Sequence, residues 1–272
     1  GQAVLGARDM EWLWPQIVEI ARGHHCIAGG DTDCAQANTA MFIAGGFISK
    51  DVPHTLAALC RAMGVCKTLV AYECGAMGPG KDCAYENVMV KAIRGIPVSM
   101  EGRTSACAHM SLCGNVAAAV CDLWANEAIE YHQLFGGTTS AVFAEMLGYE
   151  AAAMNASLEL GYQKEYQASL IYSDRYRSPQ GFVLCPDIAW KIGKAVVENN
   201  QSFYSRGRAA ALTCGRLMLG DPLLRFTAFE KESLEGYMKE LEALPDEEDD
   251  FIDLCLGKYR KVKGFQPASY GL

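Results

Sequence analysis

Along the first half of the chain, short apolar runs alternate with longer stretches whose apolar positions recur every three or four residues. The second spacing over residues 9–22, with Trp12, Leu13, Ile17 and Ile20 in step, predicts an amphipathic helix. Cys26-Ile27-Ala28 predicts a short strand, followed by a loop through Cys34 and a helix over about 35–44. A helix over 52–63 leads into Thr68-Leu69-Val70-Ala71-Tyr72, an apolar and β-branched run that reads as a second strand. The Gly/Pro-rich stretch 75–81 predicts a loop, 85–94 a helix and 96–100 a third strand. Then come a polar loop at 101–106, a helix over about 114–127 and a weaker strand near Gln133-Leu134-Phe135, ending at Gly136-Gly137-Thr138-Thr139. Strand–loop–helix units at this spacing specify a parallel sheet with its chemistry at the C-terminal ends of the strands. About four strands are legible, against the eight of a closed barrel. Residues 1–139 therefore read as half a (β/α) barrel or as an open sheet.

From about residue 140 the pattern is helical almost throughout, over 141–160, 187–199, 203–219, 229–244 and 247–259. Pro186 and Pro245 mark helix starts. The acidic run Glu247-Glu248-Asp249-Asp250 falls in a first turn, where the helix dipole favours negative charge, and reads as a solvated helix start. Residues 140–272 are expected to pack on the sheet as a second, helical region. The fold class expected is thus α/β, a partial TIM-barrel type followed by a largely helical C-terminal region.

Composition narrows the function. Half of the 272 residues are hydrophobic, ample for a core, and no apolar run reads as long enough to cross a bilayer. A net charge of −8 argues against a nucleic-acid partner, which needs basic surface. Twelve cysteines scattered over this length do not make a disulfide scaffold. With no charged-then-apolar leader in the first residues, they point to a reducing, cytoplasmic interior in which thiols pack or bind metal. The chain opens on Gly1 without an initiator methionine, and its first segment already reads as a mid-domain helix. The expectation is a fragment or a processed piece.

Two thiols differ from the rest by placement. Cys34, in Gly29-Gly30-Asp31-Thr32-Asp33-Cys34, and Cys83, in Gly78-Pro79-Gly80-Lys81-Asp82-Cys83, each follow a glycine-bearing strand end and an aspartate at the start of a helical pattern. Backbone amides and a helix N-terminus there favour a thiolate, and thiolates at a sheet rim are ligands for a soft metal, zinc first. Cys26, Cys60, Cys66, Cys113, Cys121, Cys185, Cys214 and Cys255 lie within element patterns and read as small core hydrophobes. Cys107 with His109 is a rival pair, as metal ligands or as thiol and base, or else structural. Glu73 and Glu101 close the second and third expected strands, where a carboxylate suits a general acid, a metal ligand or a loop brace. His24 and His25 precede the first expected strand and read as surface residues. The stretch 75–81 imitates a phosphate loop but lacks its Gly-Lys-Ser/Thr ending, and no Gly-x-Ser-x-Gly elbow occurs.

Several longer strings are specific. Gly30-Asp31-Thr32-Asp33-Cys34-Ala35-Gln36-Ala37-Asn38-Thr39-Ala40 and Gly80-Lys81-Asp82-Cys83-Ala84-Tyr85-Glu86-Asn87 closely resemble the zinc subunit of the methanol:corrinoid methyltransferases. So do Ser99-Met100-Glu101-Gly102, Cys107-Ala108-His109, Trp124-Ala125-Asn126-Glu127, Phe135-Gly136-Gly137-Thr138-Thr139 and Ser173-Asp174-Arg175-Tyr176-Arg177, down to Tyr270-Gly271. The resemblance implies a TIM barrel with added helices and a zinc ion held by a glutamate and two cysteines. The cysteines map onto Cys34 and Cys83, whereas the glutamate has no counterpart and would belong upstream of Gly1.

The implied reaction passes the methyl group of methanol to the Co(I) corrinoid of a partner protein, giving methyl-Co(III) and water. Zinc as a Lewis acid would ease the C–O cleavage, and Glu101 or Glu73 would hydrogen-bond the alcohol or water. The resemblance also leads to expecting an oligomer, with no membrane or nucleic-acid partner. Two other readings stay open: the same corrinoid chemistry on methylamines or methoxylated aromatics, and an inactive scaffold.

Overall fold

A computed structural model of the chain describes residues 2–31, 37, 40, 43–44, 51–77, 80–81, 87–95, 152–153 and 155–272. Its elements are α1 (Gln2–Gly23), β1 (Gly30–Asp31), α2 (His54–Glu73), β2 (Gly80–Lys81) and α3 (Asn87–Arg94). The later ones are α4 (Gln163–Asp174), α5 (Pro179–Val183), α6 (Pro186–Glu198), α7 (Phe203–Gly220), α8 (Ala228–Glu242), α9 (Glu248–Tyr259) and a closing 3-10 turn, Pro267–Tyr270.

At the centre lies α2, which buries residues on every side: Ala58, Arg61, Ala62, Val65, Thr68, Leu69 and Ala71 among them. A helix apolar all round belongs in a core, and α1, α3, α5, α7 and α8 all pack against it. It is 20 residues long with a hydropathy of 1.2, so it has the length and composition to cross a bilayer, contrary to the sequence reading. Yet 78% of that window is buried within the fold, as for a core helix of a globular protein.

The N-termini of the two busiest helices are closed by carboxylates from elsewhere in the chain. Pro53 caps α2 without a side-chain bond. Glu230 in the first turn of α8 instead accepts from the amides of His54 (2.8 Å) and Thr55 (3.0 Å). In α7, Ser202 and Ser205 form a reciprocal capping box, and Glu248 of α9 accepts from the Tyr204 amide at 2.9 Å. Both arrangements satisfy amides that no turn of the helix can reach.

The expected α/β, TIM-barrel-type fold is corrected by these elements. Among the described residues the only β-structure is a parallel pairing of two residues with two, Gly30 with Gly80 and Asp31 with Lys81, and the rest of the regular structure is helical. The run 68–72, expected as a strand, forms the last turns of α2. A short apolar run buried on all sides has the same periodicity in a core strand and a core helix, and here the helix that starts at His54 simply continues. Cys26-Ile27-Ala28 is the exit from α1 rather than a strand.

The stripe of α1 is also corrected: Val4, Ala7, Met10, Trp14 and Val18 face the core, while Trp12 is 71% and Ile20 64% exposed. The helix starts at Gln2, and over that length the stripe from Val4 is the longer one. The helices expected over 187–199, 203–219, 229–244 and 247–259 are present as α6 to α9 within two residues at each end. Ala37 and Ala40, helical and buried, lie within the expected helix 35–44. The expected elements at 96–100, 114–127 and 133–135 lie outside the described residues.

Candidate functional site

The two helices that lead toward the thiols end in the same way. At the end of α1 the Cys26 amide donates to the Ala21 carbonyl (2.8 Å) and the His25 amide to Arg22 (3.2 Å), with His25 at φ 54. At the end of α2 the Ala76 amide donates to Ala71 (3.0 Å) and the Gly75 amide to Tyr72 (3.1 Å), with Gly75 at φ 107. Each is a Schellman cap, a six-to-one bond around a five-to-two bond with a left-handed residue between. Gly75 also lies close to α1, since a β-carbon built on it would stand 3.3 Å from a Val18 methyl.

Five residues past each left-handed residue the chains meet. Gly30 pairs with Gly80 and Asp31 with Lys81, in parallel, and ahead of that pairing the Met77 amide donates to the Ala28 carbonyl at 2.9 Å. Two segments of like construction thus leave their helices and pair side by side, in the same direction, over two residues each. Cys34 comes three residues after the paired Asp31, and Cys83 two residues after the paired Lys81.

Cys34 and Cys83 themselves lie outside the described residues, as do Glu101, Cys107 and His109. Among the described residues no group of three or more His, Cys, Asp and Glu side chains is arranged to hold a metal ion. The donor chemistry nevertheless suits one: a thiol follows each of the two paired segments within three residues in sequence, and zinc prefers soft ligands of this kind. His24 and His25 are exposed, as the sequence suggested. The thiols read as core hydrophobes behave so where described: Cys66, Cys185 and Cys214 are buried, and burial pushes the Cys66 thiol up to about 12. Cys60 and Cys255 are only half-buried, and Cys26 is exposed.

Glu73 is the one expected carboxylate that the structure describes. It is the last residue of α2, not a strand end, and it stands ten residues before Cys83. Both of its oxygens accept from the Arg206 guanidinium of α7, at 2.8 and 2.9 Å. Arg206 is 9% exposed, donates also to the Asn200 side-chain oxygen at 2.6 Å, and lies over the Phe203 ring. Sequence reasoning missed Arg206, although a signal was present. It shares the buried stripe of α7 with Ala210 and Cys214 at helical spacing, and a charge on such a stripe requires a partner.

Two cavities, of about 320 and 490 Å³, open elsewhere, between the start of α1, the middle of α2 and α9, with Val4, Lys67, Phe251, Cys255 and Tyr259 common to both. Neither is lined by a residue of the paired segments.

The family model for the methanol-cobalamin methyltransferase B subunit matches residues 1–271. A methanol–corrinoid protein co-methyltransferase of Methanosarcina barkeri (strain Fusaro / DSM 804) is 47% identical over 270 residues, 98% of this chain and 59% of that protein. The crystal structure of the methanol:cobalamin methyltransferase complex MtaBC from Methanosarcina barkeri superposes with a TM-score of 0.82 at 41% identity, covering 99% of this chain and 60% of the other. The chain therefore spans about three-fifths of the length of the relatives it matches. With the match extending over 1–271 and so large a share of residues in common, the chain belongs to the methanol-cobalamin methyltransferase B subunit family.

Proposed function

We propose that this chain carries the two thiolate ligands of a zinc-dependent methanol:corrinoid methyltransferase, with Cys34 and Cys83 as those ligands. The observation that supports the proposal is the parallel pairing of Gly30-Asp31 with Gly80-Lys81 after matching helix ends, three and two residues ahead of the two cysteines in sequence. The kinship with a methanol–corrinoid protein co-methyltransferase supports the substrate, and a solved complex of a relative supports a corrinoid protein as partner.

In this reading the methyl group of methanol passes to the cobalt of a corrinoid borne by the partner, and the oxygen leaves as water. Zinc, when bound, supplies a Lewis acid to the alcohol oxygen. Cys34 and Cys83 would hold the ion as thiolates, the soft donors it prefers. Glu101 hydrogen-bonds the alcohol oxygen or the departing water. Protonation there matters, because hydroxide is a poor leaving group and water a good one. Glu73 has both carboxylate oxygens engaged by Arg206, so a direct role in the same hydrogen bonding is proposed more narrowly, through the lone pairs that the guanidinium leaves open.

The test measures bound zinc and methyl transfer together. Cys34→Ser and Cys83→Ser are each expected to lose bound zinc, and Glu101→Gln to keep zinc while slowing methylation of a corrinoid protein by methanol. Unchanged zinc in both cysteine variants overturns the ligand assignment. Faster transfer from methylamines or methoxylated aromatics than from methanol overturns the substrate.

A further inference from the structure

We infer that the Glu73–Arg206 pair is a positioning device that fixes where the Cys83-bearing segment leaves α2. The inference rests on the zinc reading above. Its premise is that Glu73 does nothing for the helix that carries it. A carboxylate in the last turn opposes the helix dipole, and α2 has no basic residue in that turn to offset it. What the carboxylate does instead is accept two bonds from a guanidinium that is itself held by Asn200 and packed on Phe203. A fork-on-fork pair of this kind fixes direction as well as distance, so the end of α2 is registered against α7.

From that point the described residues, through Met77 and again at Gly80-Lys81, are each held by a contact or a backbone bond. The Schellman bonds tie the Gly75 amide to Tyr72 and the Ala76 amide to Ala71, the Gly75 turn rests against Val18 of α1, and Ala76 is buried. Met77 donates to Ala28, and Gly80-Lys81 pairs with Gly30-Asp31. The sister segment leaves α1, which packs on the same α2. The position of one exit relative to the other therefore follows from how the end of α2 sits between α1 and α7. Arg206 ties the last residue of α2 to α7 in the second of these contacts. It touches neither substrate nor metal in this account and acts through Glu73 and the backbone.

The experiment uses the full chain, with cobalt(II) as the probe because thiolate coordination to it gives an absorption band that zinc does not. Affinity is read by titrating that band, and folding by the thermal unfolding midpoint. Arg206→Lys keeps the charge but loses the fork, and Glu73→Gln keeps the shape but loses the charge. Both are expected to weaken cobalt binding by about tenfold while unfolding as a single transition. The double variant should be no weaker than the worse single one, because the two act as a unit. Folded Arg206→Lys and Glu73→Gln variants with wild-type affinity would overturn the positioning role and leave the pair a structural tie. If those variants prove unfolded, Asn200→Ala, which removes only the outer support of Arg206, takes their place, and wild-type affinity in it overturns the role equally. Wild-type binding that Cys34→Ser and Cys83→Ser leave intact would instead overturn the zinc reading itself.

Discussion

The left-handed residues at the ends of α1 and α2 show how a single side chain sets local cost. Gly75 has φ 107 and no side chain to clash, whereas His25 adopts φ 54 with a full side chain and carries the strain that glycine avoids. Replacing His25 with glycine relieves that strain but adds freedom to the unfolded chain. The expected net effect is a gain of about 0.5 kcal/mol, read from the urea midpoint. Gly75→Ala should move the other way, by about 1–2 kcal/mol, through the unfavourable φ together with the approach of the new methyl to Val18. If Gly75→Ala proved as stable as the wild type, the cap geometry described for α2 would be wrong.

At the scale of elements, the helices depend on one another for their ends. Glu230 closes α2 from a helix more than 170 residues away in sequence, against amides of which Thr55 is fully buried. Glu230→Ala should cost about 1–2 kcal/mol in the same denaturation experiment, because two amides lose a charged acceptor. A change within 0.3 kcal/mol or so would mean that water replaces the carboxylate.

Such long-range caps are invisible to a reading of local patterns, and so is the difference between a core strand and a core helix. That is why the run 68–72 suggested a strand where α2 continues to Glu73. The amphipathic helices α6 to α9 were legible because each keeps an apolar stripe against a polar face. The short helix α5, and α4 with its Gln163, Lys164, Glu165 and Gln167, offer no such stripe and went unseen. The candidate site was partly legible for the opposite reason. Glycine, aspartate and cysteine in a short string form a local chemical signal, whereas Arg206 becomes meaningful only once Glu73 is found opposite it.

For the whole molecule, the thiols report how deep the core runs. Cys66, Cys185 and Cys214 are buried and Cys26 is exposed. Burial raises the Cys66 thiol to about 12 and raises Cys214 as well, which leaves no thiolate to react near neutral pH. The sign of the coupling follows. A thiol held neutral in the fold ionises more readily once unfolded, so these residues add stability that falls away as pH rises above the ordinary cysteine value of about 8.5. Mass mapping after brief alkylation at neutral pH should tag Cys26 at once, and Cys66 and Cys214 only at denaturant concentrations that unfold the chain. Early labelling of Cys66 would show that α2 is not the centre of the core.

The equal distance from each helix cap to the paired glycines has a consequence for how this protein can vary in length. An added or deleted residue between His25 and Gly30, or between Gly75 and Gly80, would slip one rung of the short ladder against the other and change which residues of the two segments stand opposite. Length changes should be absorbed on the far side of the helices instead, ahead of His54 or Gln2, where they alter neither span.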